Sequence, residues 1–449
     1  MLFSSNVFLF AFLPAVLLTY YLVPRRFRTP VLLIFSLFFY GWGEPVYLFL
    51  MIGDILLNYV CGRWIAADRS RGGKGNAALV TGVVLNLLLL GFFKYANFFL
   101  GDLVPQIPLP IGISFYIFQS MSYVIEVYRN DAPMQKNVLT FGTYVTLFPQ
   151  LIAGPIVRYA DVAEQLETRR ENVSQFASGV LLFIVGMGKK VLLANPMGNL
   201  WNLLQLEQGT TAAWMGLIAY SLQIYFDFSG YSDMAIGLGR MFGFEFLINF
   251  NYPYISSSIT EFWRRWHISL STWFKEYVYI PLGGNRKGLK RQIVNMVIVW
   301  MLTGLWHGAS WNFVLWGAYY GALLILEKSF LLKWLKKMPR ALGHIYTLVA
   351  VALGWALFYF EDMGSLGSFL TRLFTPASSA AASELMLGYL PFTLAAMFAS
   401  LPVAKIWAEK QEETVLWRYG RILAAAMVML LCVAALASQS YNPFIYFRF

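Results

Sequence analysis

Two of the three histidines in this 449-residue chain fall within one stretch, Ile259 to Tyr320. Histidine is the side chain whose ordinary proton affinity lets it take up and return a proton near neutrality. His267 sits in Glu261-Phe262-Trp263-Arg264-Arg265-Trp266-His267-Ile268-Ser269, and His307 in Thr303-Gly304-Leu305-Trp306-His307-Gly308-Ala309. The basic loop Gly283-Gly284-Asn285-Arg286-Lys287-Gly288-Leu289-Lys290-Arg291 separates the two motifs. An ionisable group in an apolar run at membrane depth is costly, so His307 reads as a working residue rather than filler.

The elements that must position His307 follow from charge and length. Arg291 and Lys328 flank the segment, which sets both of its ends on the cytoplasmic side. Only 36 residues separate them, whereas two complete crossings need about 40. The Trp306-His307-Gly308 turn therefore sits within the bilayer, or the two legs are short, broken or tilted. Irregular backbone at that depth survives only inside protein or beside a water-filled cavity. His307 is accordingly expected on a polar tunnel.

Composition gives the setting. The chain is 58% hydrophobic and 13% charged, against about 25% charged in soluble domains, so it is an integral membrane protein. Its net charge of +11 comes from basic residues in short loops, which orient the chain and meet anionic lipid rather than nucleic acid. An aromatic share of 18%, with fifteen tryptophans, suits interfacial belts. Cys61 and Cys432 form no motif, so no disulfide or metal framework is expected. The first apolar run has no basic region before it and no small-residue cleavage site, and reads as a retained span.

Along the chain, spans are expected at Asn6–Val23, at Val31–Trp42 and Val46–Tyr59 interrupted by Gly43-Glu44-Pro45, and at Asn76–Leu100, Ile111–Tyr128 and Val138–Ile156. Further spans are expected at Phe176–Leu193 and Trp214–Leu238, as the two legs around His307, and at Ile345–Phe360, Leu385–Val403 and Ile422–Leu436. Arg158 to Asn172 reads as an interfacial amphipathic piece. The total is about eleven spans plus re-entrant or interfacial helices, in one membrane domain covering 1–449 (a core of about 1–330, then C-terminal helices 341–449). Arg25-Arg26-Phe27-Arg28 after the first span places the N-terminus outside, and the tail from Ser438 to Phe449 falls outside as well. No tandem repeat is visible, which weighs against an inverted-repeat transporter.

Several long motifs resemble the membrane-bound O-acyltransferase (MBOAT) family. They are Met1-Leu2-Phe3-Ser4-Ser5-Asn6, Leu109-Pro110-Ile111-Gly112-Ile113-Ser114-Phe115-Tyr116, Ile152-Ala153-Gly154-Pro155 and Tyr225-Phe226-Asp227-Phe228-Ser229-Gly230-Tyr231-Ser232-Asp233, with the two histidine motifs. The match runs in order to about residue 330, and the closing Asn442-Pro443-Phe444 also suits it. The branch is that of the alginate O-acetyltransferase membrane subunit and the peptidoglycan O-acetyltransferase. The resemblance implies an all-α fold, with a ring of helices around a thin centre and a tunnel joining the two faces. It implies a bacterial plasma-membrane enzyme taking acetyl from cytoplasmic acetyl-CoA, with no bound cofactor and no metal. The acetyl group is then expected to pass to an extracytoplasmic SGNH-type acetyltransferase partner and on to an exported polysaccharide such as alginate. The family's catalytic histidine falls on His307, although Trp306 directly precedes it where the pattern spaces the tryptophan one residue away. A second polar position of the family, in the Trp-Arg-Arg-Trp-His motif, falls on His267 near the cytoplasmic side, and His307 and His267 are the catalytic residues the resemblance implies.

Acyl transfer from a thioester needs a hydroxyl deprotonated as it attacks and a setting that stabilises the tetrahedral intermediate. A neutral imidazole at His307 supplies the first, worth about 10²–10⁴-fold; the plain alternative is a hydrogen bond between helices. His267 has Arg264, Arg265 and Lys275 within about two helical turns, a basic neighbourhood for coenzyme A phosphates; the alternative is an interfacial ring beside Trp263 and Trp266. Arg264, Arg265 and Trp306 are candidates for donor binding. Asp227 and Asp233 are candidate polar groups of the tunnel, with a salt bridge or helix capping as alternatives, capping being favoured for Asp233 and a helix break expected at Ser229-Gly230. Asp54 and Lys94 are other ionisable groups in apolar runs, and His344 reads as structural. D-alanyl transfer to teichoic acid from a carrier-protein thioester, or transport without covalent chemistry, are the competing functions.

Overall fold

The computed structural model describes the chain except for Ala153, Ser378, Glu413 and residues 439–443 and 446–449, and gives no side chain for Asp102 and Ser438. The Ala153 position of one motif, the Asn442-Pro443 match and most of the expected external tail lie outside the described residues.

All regular elements among the described residues are helical. A chain surrounded by hydrocarbon must satisfy its backbone polar groups internally, and a helix does so within one segment. Seven described helices are long and apolar enough to cross a membrane: Tyr47–Ser70, Asn76–Leu100, Val173–Leu204, Trp311–Leu335, Arg340–Tyr359, Ala380–Ala399 and Val415–Ala437. Val415–Ala437 buries only 6% of its apolar window within the protein, leaving the rest for lipid. Phe8–Leu22 is apolar but shorter, about 22 Å at 1.5 Å per residue against a hydrocarbon core of about 30 Å. The expected span Val138–Ile156 is instead two pieces, Val138–Thr146 and Phe148–Leu151, with Pro149 in the first turn of the second.

The long helix Thr210–Met241 runs unbroken through Ser229-Gly230, which corrects the expected break and places Asp233 inside a helix rather than at a cap. The glycine there serves close packing: a Cβ on Gly230 would come within 2.7 Å of the Gly186 carbonyl oxygen. Gly179 and Gly237 approach in the same way, each ideal Cβ meeting the other's carbonyl oxygen at 2.6 Å. Small residues at helix crossings are how membrane helices bring their backbones together.

The chain folds into two compact units, one of Met1–Phe183 with Tyr231–Leu247 and one of Ile184–Gly230 with Ile248–Phe449. In the first, Tyr47–Ser70 packs against Asn76–Leu100 and Ile113–Arg129. Asp54 lies among them and accepts from Ser120 Oγ at 2.6 Å and Asn58 Nδ2 at 2.9 Å, while Asn86 Nδ2 donates to Asn58 Oδ1 at 2.7 Å. Lys94 donates to Ser114 Oγ at 3.3 Å. Cys61 in this unit and Cys432 in the other are buried free thiols.

In the second unit, helices Gly288–His307 and Trp311–Leu326 form a hairpin closed by three residues, and the second leg continues through Glu327–Leu331 to Leu335. Helix continues past Lys328, seven residues beyond the expected boundary. The hairpin is tight at two glycines. A Cβ on Gly317 would stand 2.5 Å from the Trp300 carbonyl oxygen and 3.2 Å from Gly304 Cα, and one on Gly304 would overlap the Phe313 carbonyl oxygen. Helix Arg340–Tyr359 braces the second leg, with the Tyr319 hydroxyl donating to the Ala350 carbonyl at 2.8 Å and Asn312 Nδ2 to the Phe358 carbonyl at 3.1 Å.

Candidate active site

His307 is the last residue of the first hairpin leg, only 5% exposed. Its ring packs against Trp306, Trp316 and Phe358 at centroid distances of 5.0, 4.9 and 5.2 Å. The close crossing at Gly304 and Gly317 lies one turn below it, so the spacing of the legs sets where the imidazole sits. Gly308 follows, and a side chain there would overlap the Phe313 ring.

His267 stands between two short helices, Ile259–Arg265 and Ile268–Phe274, outside all seven candidate spans. The first begins at Ser258, whose hydroxyl accepts from Glu261 N at 3.1 Å, while Glu261 Oε2 accepts from Ser257 N at 3.0 Å. This is the reciprocal arrangement of a capping box displaced by one residue. Glu327 adds a carboxylate at the same end, accepting from Ile259 N at 2.7 Å, Thr260 N at 2.8 Å and Thr260 Oγ1 at 2.6 Å. Negative charge at a helix N-terminus satisfies orphan donors and opposes the helix dipole. The second short helix is capped from a distance by Asn249. Its carbonyl accepts from Ile268 N at 3.0 Å, and its side-chain Oδ1 accepts from Ser269 N at 3.2 Å and Ser269 Oγ at 2.9 Å.

Between these helices His267 takes a left-handed backbone, φ 44° and ψ 54°, a region that non-glycine residues enter at a cost of about 1–3 kcal/mol. The flanking backbone holds it there through Asn251 N to the Arg265 carbonyl at 2.9 Å on one side and Ile268 N to the Asn249 carbonyl on the other. His267 is 1% exposed, with the Phe228 ring edge-on at 4.7 Å and Trp306 at 6.1 Å. Burial pushes its imidazole down to about 3, so the neutral ring is the resting form.

The two histidines line one cavity of about 260 Å³ within the second unit. Arg264 and Lys275 bring positive charge to its wall, Thr260, Ser271 and Thr303 bring hydroxyls, and Trp263 and Trp300 bring apolar surface. Trp263 sets its ring against Trp300 at 4.7 Å and Tyr320 at 4.8 Å. The volume is below the roughly 300 Å³ of a drug-sized site.

The remaining candidates fall as follows. Trp306 is buried between the two imidazoles. Arg265 turns to Glu261, at 3.0 Å, and to the Asn251 carbonyl, at 3.1 Å. Partial burial would raise Glu261, but the bonds from Ser257 and Arg265 hold its carboxyl below the usual range. Asp227 is 1% exposed, forms an ion pair with Lys190 and accepts from Ile445 N at 2.6 Å. Asp233 is half-buried in the other unit. Among the described residues, the cavity wall includes none of Arg265, Trp306, Asp227 and Asp233. His344 Nδ1 lies 3.0 Å from the Ser256 carbonyl, tying its helix to the loop before the site.

Asn249 and Glu327 are not marked by any motif in the sequence, and Thr303 is marked only as the first residue of the His307 motif. Glu327 had a signal, an acidic residue closing an apolar run. Asn249 had none beyond its place in a polar turn, because its partners are eighteen to twenty positions away.

The model of the membrane-bound O-acyltransferase family matches residues 129–362, which include both histidines. A probable alginate O-acetylase AlgI of Azotobacter vinelandii is 40% identical over the whole of both chains. Another, of Pseudomonas aeruginosa, is 46% identical over 81% of this chain and 73% of the relative. A peptidoglycan O-acetyltransferase of Helicobacter pylori is 35% identical over 81% of this chain and 78% of its own.

Proposed function

The chain belongs to the membrane-bound O-acyltransferase family and is a membrane-bound O-acyltransferase, and on that premise we propose that it moves acetyl from cytoplasmic acetyl-CoA to an exported polysaccharide. The names of its relatives point to alginate-like polymers or peptidoglycan as the acceptor class. Its membrane is the bacterial inner membrane, and an extracytoplasmic acetyltransferase partner completes the relay.

The observation that carries this reading is the shared cavity, whose lining joins two buried histidines to the exposed cations Arg264 and Lys275 and to the Trp263 and Trp300 rings. His307 acts as general base. It takes the proton of the attacking hydroxyl as that oxygen bonds to the thioester carbonyl carbon, and the tetrahedral intermediate collapses by breaking the carbon–sulfur bond. The thiolate leaves as coenzyme A thiol with the proton returned from His307. Arg264 and Lys275, at the cavity wall, draw the donor's phosphates toward it, while His267 contacts the substrate from the opposite motif. Exclusion of water by the tryptophans protects the thioester from hydrolysis.

The test uses membranes containing the full chain, supplied with acetyl-labelled coenzyme A. Label appearing on a hydroxyl of polymer or partner supports the reading. Transfer only from a thioester on a phosphopantetheine carrier would replace it with the D-alanyl type of reaction, and unlabelled products with translocated polymer would replace it with transport.

A further inference from the structure

Asn249 Oδ1 receives three groups: Ser269 N at 3.2 Å, Ser269 Oγ at 2.9 Å and His267 Nδ1 at 3.1 Å. A backbone N–H can only donate, so the atom it meets is the amide oxygen and not the NH₂ group. An amide oxygen can only accept, so His267 Nδ1 must carry the hydrogen that points at it. The neutral ring then has its lone pair on Nε2. Asn249 is absent from the cavity wall while His267 is part of it. The Nδ1 edge is thus turned to the supporting loop, and Nε2 is the ring nitrogen that Asn249 does not engage. The left-handed backbone at His267 keeps the ring at that angle, since an extended or right-handed residue would aim it elsewhere.

We propose that Asn249 is a positioning residue, which fixes His267 as the Nδ1–H tautomer so that Nε2 meets the substrate as a hydrogen-bond acceptor. Resting on the reading of the cavity as the transfer site, this assigns His267 a partner of definite chemistry: an N–H or O–H, such as an amide of the donor's arm or the attacking hydroxyl. Phosphate oxygens would face a lone pair and be repelled. His267 therefore does not hold the donor's phosphates, and that task stays with Arg264 and Lys275. Fixing a histidine's tautomer through its other ring nitrogen is what the outer partners of metal-bound histidines do, where their loss costs roughly 10–100-fold in metal affinity or activity, and the same scale is taken for His267.

The chain has only three histidines, so the full-length protein labelled with ¹⁵N-histidine in lipid bilayers gives three ring spin systems. His267→Gln identifies the one belonging to His267. In the wild type, Nδ1 should be protonated and Nε2 not. Asn249→Leu should move the ring toward the opposite or a mixed tautomer and lower turnover roughly 10–100-fold, while Asn249→Asp, which keeps an acceptor, should restore the wild-type tautomer and most of the turnover. A rise in KM for acetyl-CoA in His267→Gln, with the acceptor KM unchanged, identifies the donor's amide; the reverse identifies the hydroxyl. Protonated Nε2 in the wild type overturns the proposal without any variant having to fold, and so does an unchanged ring signal or unchanged turnover in Asn249→Leu. The tautomer is read without turnover. A chain that proves not to transfer acetyl therefore refutes the proposed function while this readout still stands or falls alone.

Discussion

One methyl group added at Gly317 should cripple turnover while leaving most of the protein folded. The Trp300 carbonyl oxygen lies 2.5 Å from where that Cβ would stand, about 1 Å inside the roughly 3.5 Å at which non-bonded atoms come to rest. Both obstacles, this carbonyl and Gly304 Cα at 3.2 Å, are backbone, so no side chain can swing aside. The hairpin legs must part by about 1 Å, and the separation falls one turn from His307. A displacement of that size at a reacting group costs about 10²-fold in rate, whereas overpacking costs about 1–3 kcal/mol in stability. Gly317→Ala is therefore expected to reach the membrane in near-normal amount and to transfer acetyl about a hundredfold more slowly, with little change in KM for acetyl-CoA. Adding Gly304→Ala to it should cost less than the two single effects multiplied, because the legs are already apart. The assay is labelled-acetyl transfer in membranes, normalised to the amount of chain by immunoblot. Wild-type turnover in Gly317→Ala would refute the claim that this crossing sets the imidazole's position.

Two further outcomes follow from the same geometry. Lys190→Met leaves the Asp227 carboxylate buried without its cation and should cost about 3–5 kcal/mol, read as a lower unfolding midpoint in detergent; Asp227→Asn in the same chain should recover much of it, and a midpoint unchanged by Lys190→Met would contradict a structural role for the pair. Arg264→Met should raise KM for acetyl-CoA about 10–100-fold, the equivalent of one charge-assisted hydrogen bond of about 1.5–3 kcal/mol. Arg265→Met should leave that KM alone and lower stability instead, since Arg265 is already engaged by Glu261; equal effects of the two on KM would remove the distinction.

Much of the fold was legible because hydropathy and basic loops report directly on membrane spans. Asn76–Leu100 appears with the bounds read from sequence, and the break near Gly43-Glu44-Pro45 lies between helices Arg25–Gly41 and Tyr47–Ser70. The second leg of the hairpin ran past its expected end because helix tolerates Lys328 and Lys333, whose long chains can extend toward the interface. Ser229-Gly230 misled for a related reason: glycine weakens a helix in water, but at a membrane crossing it lets two backbones meet. At the site, residue type and spacing singled out His267, His307 and Arg264, which the fold then brings to one cavity. The supporting Asn249 stayed hidden because its bonds join residues far apart in the chain, and Glu327, although its place at the end of an apolar run was visible, gave no sign that its partners lay at Ile259 and Thr260.

The proposed transfer depends on the His307 imidazole as its base. Its most direct test is the acetyl content of cell-surface polysaccharide in cells whose only copy of the chain carries His307→Ala, with membrane abundance matched to wild type. With His307 as the base, no acetyl is expected above the level of cells lacking the protein; acetylation at the wild-type level would rule that role out.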